Sequence, residues 1–169
     1  MSNVQSGRLS DSSEPRETWL RDEKSEKAIP TWPGAAAKIL IVDDRPENLL
    51  AFRVILENLS EELVMAHSGH EAVEQVAAQD FAVILLDVHM PDMDGFEAAR
   101  LMRNNERLAG TPIIFLTAYA DDLHEAEAYS HGAVDFIETP VDPELLRSRV
   151  KVFIECSRMK EEFNRRRGS

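Results

Sequence analysis

AVILLDVHMPDMDG, residues 82–95, sets five apolar residues directly against an acid, Asp87, and then passes through proline and aspartate into a helical pattern. A continuous apolar run suits a strand buried on both faces, and such strands belong to parallel sheets covered by helices. Asp94 stands where it can cap DGFEAARLMRNNER, residues 94–107, as the next helix. The segment therefore reads as a buried strand that ends in a carboxylate and hands over to a helix.

The same grammar recurs on both sides. KILIV (38–42) is another buried strand, and it ends in Asp43-Asp44. Pro46 follows, where a first helical turn tolerates proline, and ENLLAFRVILENL continues at helical spacing. LVMA (63–66) is a short strand and GHEAVEQVAA (69–78) a helix. PIIFL (112–116) is a strand ending at Thr117, and DDLHEAEAYSHG (121–132) is a helix closed by Gly132. VDFI (134–137) ends at Glu138-Thr139, and a last helix begins near Pro143. Five strands alternating with five helices predict an α/β domain with a parallel, doubly wound sheet. In such sheets a site forms outside the carboxyl ends of the strands, where strand order reverses.

Composition narrows the function classes. The 169 residues suffice for one domain of about 118 residues, 38–155, with an N-terminal extension, 1–37, and a helical tail, 156–169. Residues 1–37 are rich in Ser, Glu, Arg and Pro without an apolar period and are expected to be disordered or loosely helical, with Trp19, Leu20 and Trp32 as the side chains able to dock. No run of about 18 apolar residues and no secretory pattern is present, so no membrane role is expected. One cysteine, Cys156, rules out an internal disulfide and suits a reducing cytoplasm. The net charge of −12 is uneven: residues 38–143 carry 6 basic and 21 acidic groups, residues 144–169 carry 8 and 4. An acidic body repels the nucleic acid backbone, which argues against direct DNA binding. The basic end, Arg165 to Arg167, reads most simply as a solvated helix terminus.

A lone Asp after a strand is usually a cap or a turn residue. Here Asp43-Asp44 and Asp87 end two strands and a hydroxyl, Thr117, ends a third. Carboxylates gathered this way raise each other's pKa unless a cation intervenes. Mg²⁺, a hard ion that takes one or two carboxylates and keeps several waters, supplies the missing charge. An Asp carboxylate beside such an ion can attack phosphorus and form an aspartyl phosphate.

The set ILIVDD (39–44), ILLDVHMPDMDG (84–95), PIIFLTA (112–118) and GAVDFI..PVDPE (132–144), in this order and spacing, resembles bacterial two-component response-regulator receiver domains. The resemblance covers roughly residues 38–155. It implies a flavodoxin-like (βα)5 fold with strand order 2-1-3-4-5, here with an extended C-terminal helix, which takes a phosphoryl group from a sensor histidine kinase or phosphotransfer protein and signals to a downstream protein target. Position by position, it implies Asp87 as phosphoacceptor and Asp43, Asp44, Asp87 and the His89 main-chain carbonyl as Mg²⁺ ligands. It implies Thr117 and Phe136 as switch residues, and His89, Ala118 and Tyr119 as residues that tune the site. The domain is then a phosphoacceptor rather than an enzyme with turnover.

One position departs from that pattern. Where the family places a lysine immediately before the proline that follows the fifth strand, this chain has Thr139, in FIETPVDPELL (136–146). Threonine offers one hydrogen bond, without charge and with less reach. A charge-assisted contact is worth about 1.5–3 kcal/mol, so its loss costs on the order of tenfold to a hundredfold. Glu138 is expected to point away from the site. Arg45 is the nearest cation able to substitute, although an outward, solvated Arg45 is the plainer reading. Three functions therefore stand side by side: a phosphorylated receiver, a degenerate receiver that docks or dimerises without phosphate, and an Asp-nucleophile phosphatase. The last normally needs a substrate-covering insertion and a lysine, and the chain shows neither.

The final helix is expected to run about 24 residues from Glu144, roughly 36 Å. Leu145, Val152 and Met159 fall seven apart with Cys156 and Phe163 interleaved, and Arg149 interrupts them. Up to Phe153 the apolar face serves the core; beyond it the helix reads as a linker or as a coiled-coil segment of a homodimer.

Overall fold

The computed structural model describes residues 36–119, 121, 122 and 134–168. The chain divides into two compact units, Met1–Ala35 and Ala36–Ser169, and every described residue belongs to the second. The expectations for residues 1–35, including Trp19, Leu20 and Trp32, lie outside the described residues. So does most of the helix expected at 121–132, with its Gly132 cap; Asp121 and Asp122 are helical.

The second unit runs β1 (Lys38–Val42), α1 (Pro46–Leu56), β2 (Glu62–Ala66), α2 (Gly69–Ala78), β3 (Val83–Asp87), α3 (Gly95–Arg103), β4 (Ile113–Thr117), β5 (Val134–Glu138) and α4 (Pro143–Gly168). Short 3₁₀ turns follow α1 at Glu57–Leu59 and α3 at Glu106–Leu108. The five strands form one sheet in the order β2-β1-β3-β4-β5, every pair parallel. Right-handed crossovers then put α1 on one face of the sheet and α2 and α3 on the other. The packing agrees: α1 meets α4, and α2 meets α3.

Burial explains the continuous apolar runs. Ile39 to Val42, Val83 to Leu86 and Ile113 to Leu116 are all essentially inaccessible, because β1, β3 and β4 are central and covered on both faces. The main cluster joins Leu40, Ile84, Phe115, Phe96 and Met102, with the Phe96 and Phe115 rings 4.8 Å apart and Phe136 half-buried beside them. Helix starts follow their caps: Ser68 accepts the Glu71 N–H at 3.0 Å, and Asp94 accepts the Glu97 N–H at 2.9 Å.

The helix expected over 94–107 stops at Arg103. Its guanidinium donates to the carbonyls of Leu108 and, at 2.8 Å, Thr111, satisfying carbonyls that a continued helix would have used elsewhere. The turn so held brings Leu108 into the core and feeds β4.

Candidate functional site

Strand order reverses at β1, whose neighbours are β2 on one side and β3 on the other. Register then decides which residues meet. Val42 pairs with Leu86, so Asp43 comes level with Asp87, and Asp87 in turn pairs with Leu116, one residue before Thr117. The chain ends of β1, β3 and β4 thus bring Asp43, Asp44, Asp87 and Thr117 to one crevice. One carboxylate oxygen from each of Asp43, Asp44 and Asp87 lies within 4.8 Å of the others.

Asp43 is the buried member, 2% exposed. Its carboxylate accepts the Arg45 N–H at 2.9 Å in an Asx turn that leads into α1, and Asn48 Nδ2 at 3.2 and 3.3 Å. Burial pushes its pKa up, and those hydrogen bonds pull against the rise. Among the described residues no hydrogen bond supports the Asp87 carboxylate in this way. Burial, followed by the charges of Asp43 and Asp44, pushes its carboxyl up from 3.8 to about 7. Three oxygen donors with unbalanced negative charge are the donor set a hard divalent cation prefers, so these residues fit Mg²⁺.

Thr117 is buried at the end of β4. Its hydroxyl accepts the Tyr119 N–H at 3.1 Å and donates to Asp122 Oδ2 at 2.6 Å. The same carboxylate oxygen sits 2.6 Å from His89 Nε2, and the His89 ring meets the Tyr119 ring edge-on at 4.9 Å. Asp122 therefore ties the Thr117 hydroxyl to His89. Ala118 and Tyr119 are exposed at the rim.

Thr139 is half-buried one residue past β5, and its N–H donates to Thr117 O at 2.8 Å. The Thr139–Pro140 peptide is cis. Glu138 is exposed, and so is Arg45.

Three contributors escaped the sequence reading. Asn48 carries a weak signal, an amide one turn into the helix that follows the acidic pair. Asp122 carries none, since its partner is set by the path of the chain after β4. Gly95 looks like an ordinary helix start, yet α3 begins hard against the strand that carries Asp87. The Gly95 N–H donates to Val88 O at 2.8 Å, and a Cβ here would stand 2.4 Å from Asp87 O and 2.9 Å from Val88 Cα. Backbone atoms cannot yield as a flexible side chain would. Gly95→Ala is expected to cost roughly 3 kcal/mol, the upper part of the overpacking range. An unchanged urea midpoint would contradict this close approach.

Residues 39–151 match the family model described as the response regulator receiver domain. The signal transduction histidine-protein kinase BarA of Escherichia coli (strain K12) is 34% identical over 113 residues, which are 67% of this chain and 12% of that protein. The transcriptional regulatory protein SrrA of Staphylococcus aureus (strain NCTC 8325 / PS 47) is 37% identical over 117 residues, 69% of this chain and 47% of that protein. The chain thus spans less than half the length of either relative. Among solved structures, the Vibrio cholerae chemotaxis protein CheY4 superposes with a TM-score of 0.64 at 31% identity, covering 70% of this chain and 99% of that one. The receiver domain of the sensor histidine kinase PA1611 from Pseudomonas aeruginosa PAO1 gives 0.65 at 29% identity, covering 72% and 99%, and that crystal holds a magnesium ion coordinated in its active site cleft. With the parallel 2-1-3-4-5 sheet and the acids at its switch point, these matches place the chain in the response regulator receiver domain family of two-component systems.

Proposed function

We propose that the domain, residues 38–155, accepts a phosphoryl group on Asp87 from a phosphohistidine of a sensor kinase or phosphotransfer protein. The observation that carries this reading is the meeting of Asp43, Asp44 and Asp87 oxygens within 4.8 Å at the switch point of the sheet. An Asp87 carboxylate oxygen forms the new bond to phosphorus, the phosphorus–nitrogen bond of the donor breaks, and the imidazole leaves with the electron pair. Asp43, Asp44, Asp87 and the main-chain carbonyl of His89 would hold Mg²⁺, which supplies charge neutralisation for the transferred oxygens. Asn48 and the Arg45 N–H fix the Asp43 carboxylate, so one wall of the site is rigid before any ligand arrives.

Thr117 would turn its hydroxyl toward the phosphoryl group, with Phe136 moving beside it, and His89, Ala118 and Tyr119 would set access of water. The 2.6 Å hydrogen bond to Asp122 supports a specific cost for that turn, since it must break first. Asp122→Ala is expected to ease the switch about tenfold, close to the lower value for a charge-assisted hydrogen bond. The check is the phosphodonor concentration that gives half-maximal change in Tyr119 or Phe136 NMR shifts; an unchanged midpoint removes this brake from the account.

The output would be protein–protein contact in the cytoplasm, with no turnover of phosphate esters. Among the described residues no helix is long and apolar enough to cross a membrane. The test is intact-mass measurement after incubation with a small phosphodonor and Mg²⁺. A single added phosphoryl group, prevented by EDTA pre-treatment and labile to hydroxylamine, is the expected result; no adduct at any donor concentration sinks the reading. The second reading, a receiver that docks without phosphate, draws support from Thr139, which brings no cation to the site.

A further inference from the structure

We propose that two copies of this chain associate through the outer face of α4 as a parallel two-stranded coiled coil. The helix has two faces about half a turn apart. On one, Leu146, Val150 and Ile154 are buried in the domain, and Arg158 pairs with Glu61 at 3.1 Å one turn further on. On the other, Leu145, Val152, Met159 and Phe163 are 38, 54, 67 and 57% exposed, and Cys156 is exposed among them. Their alternating spacing of three and four residues is that of a coiled-coil seam, and it faces away from the domain.

The seam carries two charged residues, Arg166 at its C-terminal end and Arg149 within it. The Arg149 guanidinium is paired with Asp135 on β5, which draws it off the seam and back onto its own domain.

The flanking charges name the occupant. In the heptad that puts Arg149, Cys156 and Phe163 at a and Leu145, Val152 and Met159 at d, Glu155 and Glu162 fall at g, and Lys160 and Arg167 at e. Parallel pairing sets each g residue against the e residue five positions on in the other helix. Glu155 then meets Lys160 of the second copy and Glu162 meets Arg167, each contact made twice by symmetry. Antiparallel pairing would set glutamate against glutamate and cation against cation. Within one copy Glu162 already contacts Arg165 and Arg166, Lys160 reaches Gly110 O at 3.5 Å, and Arg167 rests over the Phe163 ring at 5.5 Å. These local contacts exchange for contacts of the same kind across the seam.

The helix stands formed on the domain, so association does not have to fold it. The seam is only about 33 Å long, from Leu145 to Arg167. Val, Cys and Met replace the stronger Leu and Ile, and a dissociation constant on the order of 10–100 µM follows.

The full chain in sedimentation equilibrium is expected to show a monomer–dimer equilibrium in that range. Cys156 is the single cysteine, so oxidation with copper phenanthroline links two chains efficiently only where both sulfurs face each other in a parallel, in-register pair. Met159→Glu and Phe163→Glu alter exposed side chains, leave the melting curve in place and weaken the dimer at least about tenfold. Glu155→Lys and Lys160→Glu each weaken it, and the double variant recovers it. A chain that stays monomeric at about 300 µM overturns the proposal. So does a dimer that ignores Met159→Glu and Phe163→Glu, one that leaves Cys156 unlinked, or charge reversals that fail to rescue each other.

Discussion

Asp87→Asn is expected to end phosphoryl incorporation and, at the same time, to make the metal-free protein more stable. The first effect follows from chemistry, because the amide offers no anionic oxygen to attack phosphorus. The second follows from electrostatics. Folding buries the Asp87 carboxyl beside Asp43 and Asp44 and raises it from 3.8 to about 7. In the unfolded chain the group ionises near 4; in the folded chain it stays protonated until about 7. The unfolded state therefore loses its proton first, and stability falls as pH rises from about 4 to 7, then levels off. At about 1.4 kcal/mol for each tenfold change in proton affinity the ceiling is roughly 4 kcal/mol. Asp87 is only half-buried, and solvent screening brings the expected gain to about 2–3 kcal/mol above pH 7.

Urea denaturation in EDTA at pH 5 and pH 8 reads this directly. Wild type should lose stability between the two pH values, and the Asn variant should lose much less, because Asp43 and Asp44 then face a neutral amide. Mg²⁺ narrows the difference. At about 100 times its dissociation constant a ligand adds about 2.7 kcal/mol to the state that binds it. Wild type gains that amount and the variant, with one ligand fewer, gains less. Parallel pH profiles for the two proteins would show that the three acids do not share one electrostatic field.

What the amino-acid pattern disclosed and what it hid have separate physical causes. The strands were legible because central parallel strands are apolar on both faces. Their ends were blurred: β3 and β4 each run one residue past the apolar stretch, to Asp87 and Thr117. The backbone ladder pairs Asp87 with Leu116 and Thr117 with Glu138 whatever their side chains, and it is this extra pairing that sets the functional groups level. The end of α3 was hidden because RNNER keeps helical spacing while Arg103 closes the turn through carbonyls up to eight residues away. The acidic trio was legible from position alone. Asp122 and Gly95 were not, since each acts through an approach in space that leaves no local mark. Thr139 was visible only as an exception to a family pattern.

Thr139→Lys is expected to raise phosphorylation tenfold to a hundredfold, and the geometry explains why threonine cannot match it. Position 139 is anchored beside β4 by its N–H bond to Thr117 O. β5 lies two strands from β3, a span of about 10 Å. A lysine ammonium reaches about 6 Å from its Cα, which leaves a hydrogen-bond distance to a phosphoryl oxygen carried on Asp87. The threonine hydroxyl stops about 2.4 Å from its Cα and remains several ångströms short. A charge-assisted contact of about 1.5–3 kcal/mol is thus absent from the native site, and exposed Arg45 sits on the opposite side, after β1. The lysine should also pull the Asp87 pKa back toward the usual carboxylate range, flattening the fall in stability between pH 4 and 7. Time courses with a small phosphodonor at fixed Mg²⁺ would compare wild type, Thr139→Lys and Thr139→Met, the last matching length without charge. If methionine performs as well as lysine, reach or packing governs the position and the charge does not. If lysine leaves the rate within about twofold of wild type, the native site already neutralises its phosphoryl group by another route. Should wild type take no phosphate while Thr139→Lys does, the loss of one ammonium is what separates a docking receiver from a phosphorylated one.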